Sequence, residues 1–165
     1  MLPSDDQLAL RDVAQRFSRE KLRPDYQARD TQDRVDRALM REMGGLGLIG
    51  VDLPEEFGGL GQNGVTAGMI IEDIAYGDFN ISYVQLLASL MGLIMVRNAD
   101  PDLARHWVQG LTSGRLLMGL GLTEPRGGSD AANLALKARK DGSAYVLNGE
   151  KASISFSEQA DSMVL

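Results

Sequence analysis

Leu120-Gly121-Leu122-Thr123-Glu124-Pro125-Arg126-Gly127-Gly128-Ser129-Asp130 marks the point where the chain changes character. An apolar run from Leu116 to Leu122 leads into it and reads as a buried strand. Pro125 removes a backbone donor and fixes its own φ, so strand pairing should stop there. Gly127 and Gly128 lack a Cβ and can take positive φ or let the backbone approach a ligand closely. Thr123, Ser129 and Asp130 add polar side chains around free backbone N–H groups, a combination able to hold an anion such as a pyrophosphate. The same residues also make an ordinary β-turn.

The residues before this stretch read as helices. Ser4 and Gln7 have the capping-box spacing, with Asp5 and Asp6 at the positive end of the first helix. Leu10, Val13, Ala14 and Phe17 form its apolar stripe, and Pro24 ends it near Leu22. A second helix is expected from Asp33 to Met43, with Val35, Leu39 and Met43 inward. Between Arg19 and Arg37 the mixed charges suggest solvated faces and a loop. Val65 to Tyr76 reads as a third helix with Asp73 on its wet face. Ile81 to Val96 reads as a fourth, apolar nearly all round and therefore interior. Asp100-Pro101 supplies the N-cap and first position of a fifth, through Val108.

Beyond Gly110 the runs shorten and alternate. Ala135 to Lys140 and Ala144 to Leu147 flank Asp141-Gly142, a hairpin signal. Asn148-Gly149 separates Tyr145-Val146-Leu147 from Ala152-Ser153-Ile154-Ser155, a second hairpin, and Ser162 to Leu165 looks like one more strand. The fold class is therefore α+β: a helical domain over residues 1–112, then a partial antiparallel β-domain over 113–165.

Composition narrows the chemistry. The net charge of −6 offers no basic surface for nucleic acid, and the absence of cysteine removes disulfides and thiolate chemistry. His106 stands alone, which rules out a zinc site of the usual kind and suits a surface histidine, while Trp107 reads as an anchor. No metal site is expected. No uninterrupted apolar run reaches the roughly 18 residues of a membrane span. The acidic N-terminus, Met1-Leu2-Pro3-Ser4-Asp5-Asp6, lacks a signal pattern and favours the cytoplasm.

Three stretches resemble one family. Thr123-Glu124-Pro125 followed by Gly128-Ser129-Asp130 is similar to the signature that opens the middle β-domain of acyl-CoA dehydrogenases. Asn148-Gly149-Glu150-Lys151 resembles the Asn-Gly-x-Lys hairpin of that family. Pro54-Glu55-Glu56-Phe57-Gly58-Gly59-Leu60-Gly61 resembles its loop between N-terminal helices. All three stand in family order.

The resemblance implies FAD as cofactor and an acyl-CoA thioester as substrate, dehydrogenated between its α and β carbons. It implies that Leu120, Gly121, Leu122 and Thr123 run along the isoalloxazine. Gly128 would belong to the same cofactor-binding set, and Ser129 would face the pyrophosphate and also meet the phosphopantetheine arm. Ser153, Ile154 and Ser155 match the Trp-Ile-Thr run, whose last hydroxyl bonds flavin N5; Ser155 keeps a hydroxyl. An electron-transfer flavoprotein or similar acceptor and a homo-oligomer, dimer or tetramer, are implied as partners.

Four positions depart from the family. Leu120 stands where an aromatic is usual, Ser153 where a tryptophan covers the flavin, Phe156 where asparagine is frequent, and Arg126 where a small residue is usual. Arg126 could pair with a phosphate. The family's base, a glutamate, belongs to a C-terminal helical domain, so no catalytic residue is expected in this chain. It is expected to be a piece of the enzyme, inactive alone. A flavin monooxygenase of the same architecture and a non-catalytic subunit are the alternatives.

Overall fold

Ser4 opens the first helix as its spacing to Gln7 predicts. Its hydroxyl accepts the Gln7 N–H at 3.2 Å while the Gln7 side chain accepts the Ser4 N–H at 2.9 Å. The exchange satisfies two of the donors that a helix start leaves orphaned. The computed structural model describes residues 2–165; Met1, the first residue of the acidic N-terminal stretch, lies outside them. Helix α1 (Asp5–Phe17) continues as a π-helical turn, Ser18–Leu22, and stops where Pro24 requires.

The stretch read as a loop contains a short helix, α2 (Tyr26–Asp30), without a side-chain cap. Five residues are too few to hold a helix by local bonds. Arg29 supplies the tether: its Nε donates to Asp78 at 2.8 Å, and its guanidinium also donates to the Leu22 carbonyl. Helix α3 (Arg37–Gly45) begins at Arg37 instead of Asp33, because the Asp36 side chain accepts the N–H groups of Ala38 and Leu39 and makes itself the cap.

Helices α4 (Gly64–Ala75), α5 (Phe79–Asn98) and α6 (Pro101–Thr112) hold the core, each capped by a side chain, from Asn63, Asp78 and Asp100 respectively. Helix α5 packs against both α4 and α6. Length and composition alone would let α5 cross a membrane, yet half of its most apolar window is buried inside the fold. Ile70, Ile74 and Met91 are completely buried, each worth about 1.5–3 kcal/mol of transfer free energy. Asp73, expected on the wet face of α4, is only 7% exposed. Arg11 grips both its oxygens, at 2.7 and 2.9 Å, and Gln15 donates to it as well. That is how a carboxylate tolerates burial.

Among the described residues four short strands follow: β1 (Met118–Leu120), β2 (Lys137–Asp141), β3 (Ala144–Asn148) and β4 (Ser162–Val164). The β2–β3 hairpin is antiparallel as expected, with Gly142 at φ +60° in its tight turn. The other pair corrects the all-antiparallel expectation: β1 and β4 run parallel, with Met118 opposite Ser162 and Leu120 opposite Val164. The long excursion between them lets the chain return in the same direction. The second hairpin, at Asn148-Gly149, does not form. Ala152 donates its N–H to the Thr123 carbonyl at 2.9 Å, not to β3, and Ser153 and Phe156 take positive φ, 54° and 60°, which no strand accommodates.

Candidate functional site

The Glu124-Pro125-Arg126-Gly127 corner is closed at both ends. Glu124 N–H donates to the Gly127 carbonyl at 3.1 Å and Gly127 N–H returns to the Glu124 carbonyl at 2.9 Å. Gly127 sits at φ +137°, where a side chain would be strained. At Gly128 the need is spatial, since a Cβ would stand 2.7 Å from the Thr123 hydroxyl.

Glu124 is the keystone of this corner and is 4% exposed. Its two oxygens accept the Ala135 N–H at 2.7 Å, the Leu136 N–H at 2.8 Å and the Lys151 ammonium at 3.0 Å. The Leu136 and Ala135 N–H groups, aided by Lys151 and opposed by burial, hold the Glu124 carboxyl down at about 2. Lys151 gives a further bond to the Leu122 carbonyl at 3.0 Å. One acidic and one basic side chain thus tie three distant stretches together. By sequence Glu124 belongs to the turn and Lys151 to the Asn-Gly-x-Lys motif, and a lysine and a glutamate 27 positions apart carry no periodic signal.

Of the sequence-selected residues, two groups meet. Gly121, Leu122 and Thr123 leave β1 alongside Lys151 to Ser155, joined by the Ala152–Thr123 bond. A Cβ on Gly119 would come within 3.3 Å of the Ile154 side chain and 3.6 Å of the Ser155 carbonyl, so the 152–155 run crosses directly over β1. Leu120 is half-buried against the helical core at the end of β1. Gly121 is closed off by the protein's own Leu165, 2.5 Å from where its Cβ would be. Ser129 and Gly128 lie on the other side of the corner, lining an open cavity of about 430 Å³ with Arg126, Gly127, Asp130 and Asn133.

Residues 4–115 match the acyl-CoA dehydrogenase N-terminal domain, and residues 119–165 match the acyl-CoA dehydrogenase middle domain. The chain belongs to the acyl-CoA dehydrogenase family. It is 34% identical over 153 residues to a mitochondrial isobutyryl-CoA dehydrogenase of Dictyostelium discoideum, covering 92% of this chain and 36% of that protein. It is 31% identical over 166 residues to a mitochondrial isovaleryl-CoA dehydrogenase of Pongo abelii, covering 98% and 39%. Its fold superposes, at a TM-score of 0.89 and 26% identity, on a glutaryl-CoA dehydrogenase from Mycobacterium smegmatis in complex with FADH2, covering 98% of this chain and 42% of that one. The chain therefore spans well under half the length of these relatives.

Acyl-CoA dehydrogenase membership makes the fit to a flavin a concrete question about these side chains. Among the described residues, the N–H groups of Leu122 and Thr123 make no hydrogen bond, although both residues are half-buried. Unpaired backbone donors at such depth are free to bond water or a ligand acceptor. The hydroxyls of Thr123, Ser129 and Ser155 are likewise without a protein partner among the described residues, and Ser129 and Ser155 are exposed. These groups suit the carbonyl, ring nitrogen and phosphate acceptors of FAD. Arg126 is less free than its sequence suggested: it donates to the Asn133 carbonyl at 2.6 Å and lies 3.8 Å from Glu124. Ser153 is exposed and offers no aromatic face.

Proposed function

We propose that the chain forms the helical domain (residues 1–112) and the first part of the middle domain (113–165) of an FAD-dependent acyl-CoA dehydrogenase. The observation that carries this reading is the Ala152–Thr123 bond, which joins the 152–155 run to the stretch whose Leu122 and Thr123 N–H groups are unpaired. FAD, when bound, supplies the hydride-accepting ring for oxidation of the acyl-CoA between its α and β carbons. Leu122 and Thr123 would hold the ring through backbone and hydroxyl donors, and Ser155 would donate to it from the 152–155 run. Gly128 and Ser129 would take the phosphate end, where the open cavity has room and Gly128 admits close approach. Abstraction of the α-proton needs a general base, which the family resemblance assigns to a C-terminal helical domain not included in these 165 residues. Electron-transfer flavoprotein as acceptor, a dimeric or tetrameric assembly and a cytoplasmic location complete the reading.

The test is the absorption spectrum of the protein expressed from its whole reading frame. A yellow protein that bleaches on addition of a short branched or straight acyl-CoA under anaerobic conditions is the expected result. A colourless protein that takes up no added FAD would overturn it. That outcome would favour a non-catalytic relative, the reading to which the exposed Ser153, in place of a ring-covering aromatic, points.

A further inference from the structure

The Ser153–Phe156 run is not a shape that its own backbone favours. Ser153 and Phe156 both sit at positive φ without being glycine, and such residues persist only where their surroundings over-determine them. On the N-terminal side the surroundings are the Lys151–Glu124 lock and the Ala152–Thr123 bond. On the C-terminal side they come from the helical domain. Val35 N–H donates to the Gln159 side chain at 2.7 Å, and that side chain donates back to the Asp33 carbonyl at 3.4 Å. Arg37, the first residue of α3, donates to Asp161 at 2.7 Å and to the Gln159 carbonyl. Asp161 in turn accepts the Leu117 N–H at 2.7 Å and donates its own N–H to the Leu117 carbonyl at 2.7 Å. Gln159 and Ala160 both donate to the Phe156 carbonyl, closing the turn that carries the strained residues.

These bonds bridge a gap. A cavity of about 130 Å³ opens between the two parts, lined by Val35, Asp36, Asp78, Ile81, Phe156 and Gln159. Phe156 packs against the helical core at the edge of this gap, and directional bonds hold the rest of the turn in place.

We propose that Arg37, Gln159 and Asp161 are positioning residues that let the helical domain set where the Ser155 hydroxyl points. The role of Ser155 rests on the function proposed above; the bracing itself does not. It follows that the cofactor-facing run is aligned from the N-terminal helices as much as from its own sheet.

Hydrogen exchange on the 165-residue chain without flavin tests the bracing. Gln159→Ala and Arg37→Ala should each raise exchange at the hydrogen-bonded amides of Ser157 and Ala160 about three- to tenfold, the loss of one or two net hydrogen bonds. The β2–β3 hairpin amides should stay unchanged, the unfolding midpoint should fall by only a few degrees, and Arg37→Lys, which keeps a donor to Asp161, should restore part of the protection. Unaltered exchange at Ser157 and Ala160, or an equal rise everywhere, would overturn the proposal. In the complete protein carrying FAD, Gln159→Ala should also shift the flavin absorption bands, a change that global loosening would not produce. If the complete protein takes up no FAD while the local exchange result holds, the proposed function falls and the bracing stands. If it takes up FAD and the bands do not move, Gln159 does not position Ser155.

Discussion

The ammonium of Lys151 lies 3.0 Å from the Glu124 carboxylate, with the two side chains 6% and 4% exposed. A buried pair is stabilising only when other hydrogen bonds complete both partners. Here Glu124 has two backbone donors and Lys151 has the Leu122 carbonyl. Lys151→Met should lower the thermal unfolding midpoint by several degrees. The double variant Glu124→Leu/Lys151→Met should not recover it, since the Ala135 and Leu136 N–H groups lose their acceptor. Recovery in the double variant, measured by circular dichroism, would show that the pair matters only to itself.

Glu124 also sets an acid dependence. Its carboxyl is held at about 2 in the folded chain against an ordinary 4.5. The folded state thus prefers the anion, and the resulting stability is complete above 4.5 and lost as pH falls toward 2. Asp161 acts in the same direction: burial pushes it up, but the Leu117 N–H and Arg37 outweigh burial and hold it below its usual range. Unfolding free energy should therefore drop between pH 4.5 and 2. Glu124→Gln should flatten that slope by up to one proton, and an unchanged slope in urea titrations would contradict the assignment.

Two glycines should respond oppositely to the same substitution. A Cβ on Gly59 would stand 2.1 Å from the Leu53 carbonyl oxygen, so Gly59→Ala should cost about 3 kcal/mol. Gly68, exposed in the middle of α4, has nothing within 4 Å of its Cβ position. Gly68→Ala should stabilise by about 1 kcal/mol through helix propensity. Chemical denaturation of both variants checks the pair.

The Ser155 hydroxyl offers a clean separation of binding from folding. It has no protein partner among the described residues, so Ser155→Ala should leave the unfolding midpoint within a degree or two. Under the proposed function it should weaken FAD retention in the complete protein about two- to tenfold, one net hydrogen bond. Thr123→Ala should do the same. Fluorescence titration of the apoprotein with FAD reads both.

The helices were legible because their signals are local. Ser4 with Gln7, Asp100 with Pro101 and the apolar face of α1 each act within a few residues, and the structure keeps them all. Helix α2 was not legible, because its stability comes from Arg29 reaching Asp78, 49 positions away. The buried state of Asp73 was hidden for the same reason, since Arg11 lies 62 positions off. In the β region the Asp141-Gly142 turn could be read from its dipeptide. The Asn148-Gly149 dipeptide carried the same signal and misled, because Ala152 found a better partner in Thr123.

From its residues alone this chain determined where helices start and stop, which stretches lie inside, and, through three ordered motifs, the family to which it belongs. All of these depend on contacts within a turn or two, or on identities matched one by one. Only the tertiary structure decided that β4 returns parallel to β1, that Lys151 neutralises Glu124, and that α3 reaches across to Gln159 and Asp161. Those contacts join residues tens of positions apart. Their free energy depends on distance in space, which spacing along the chain does not encode.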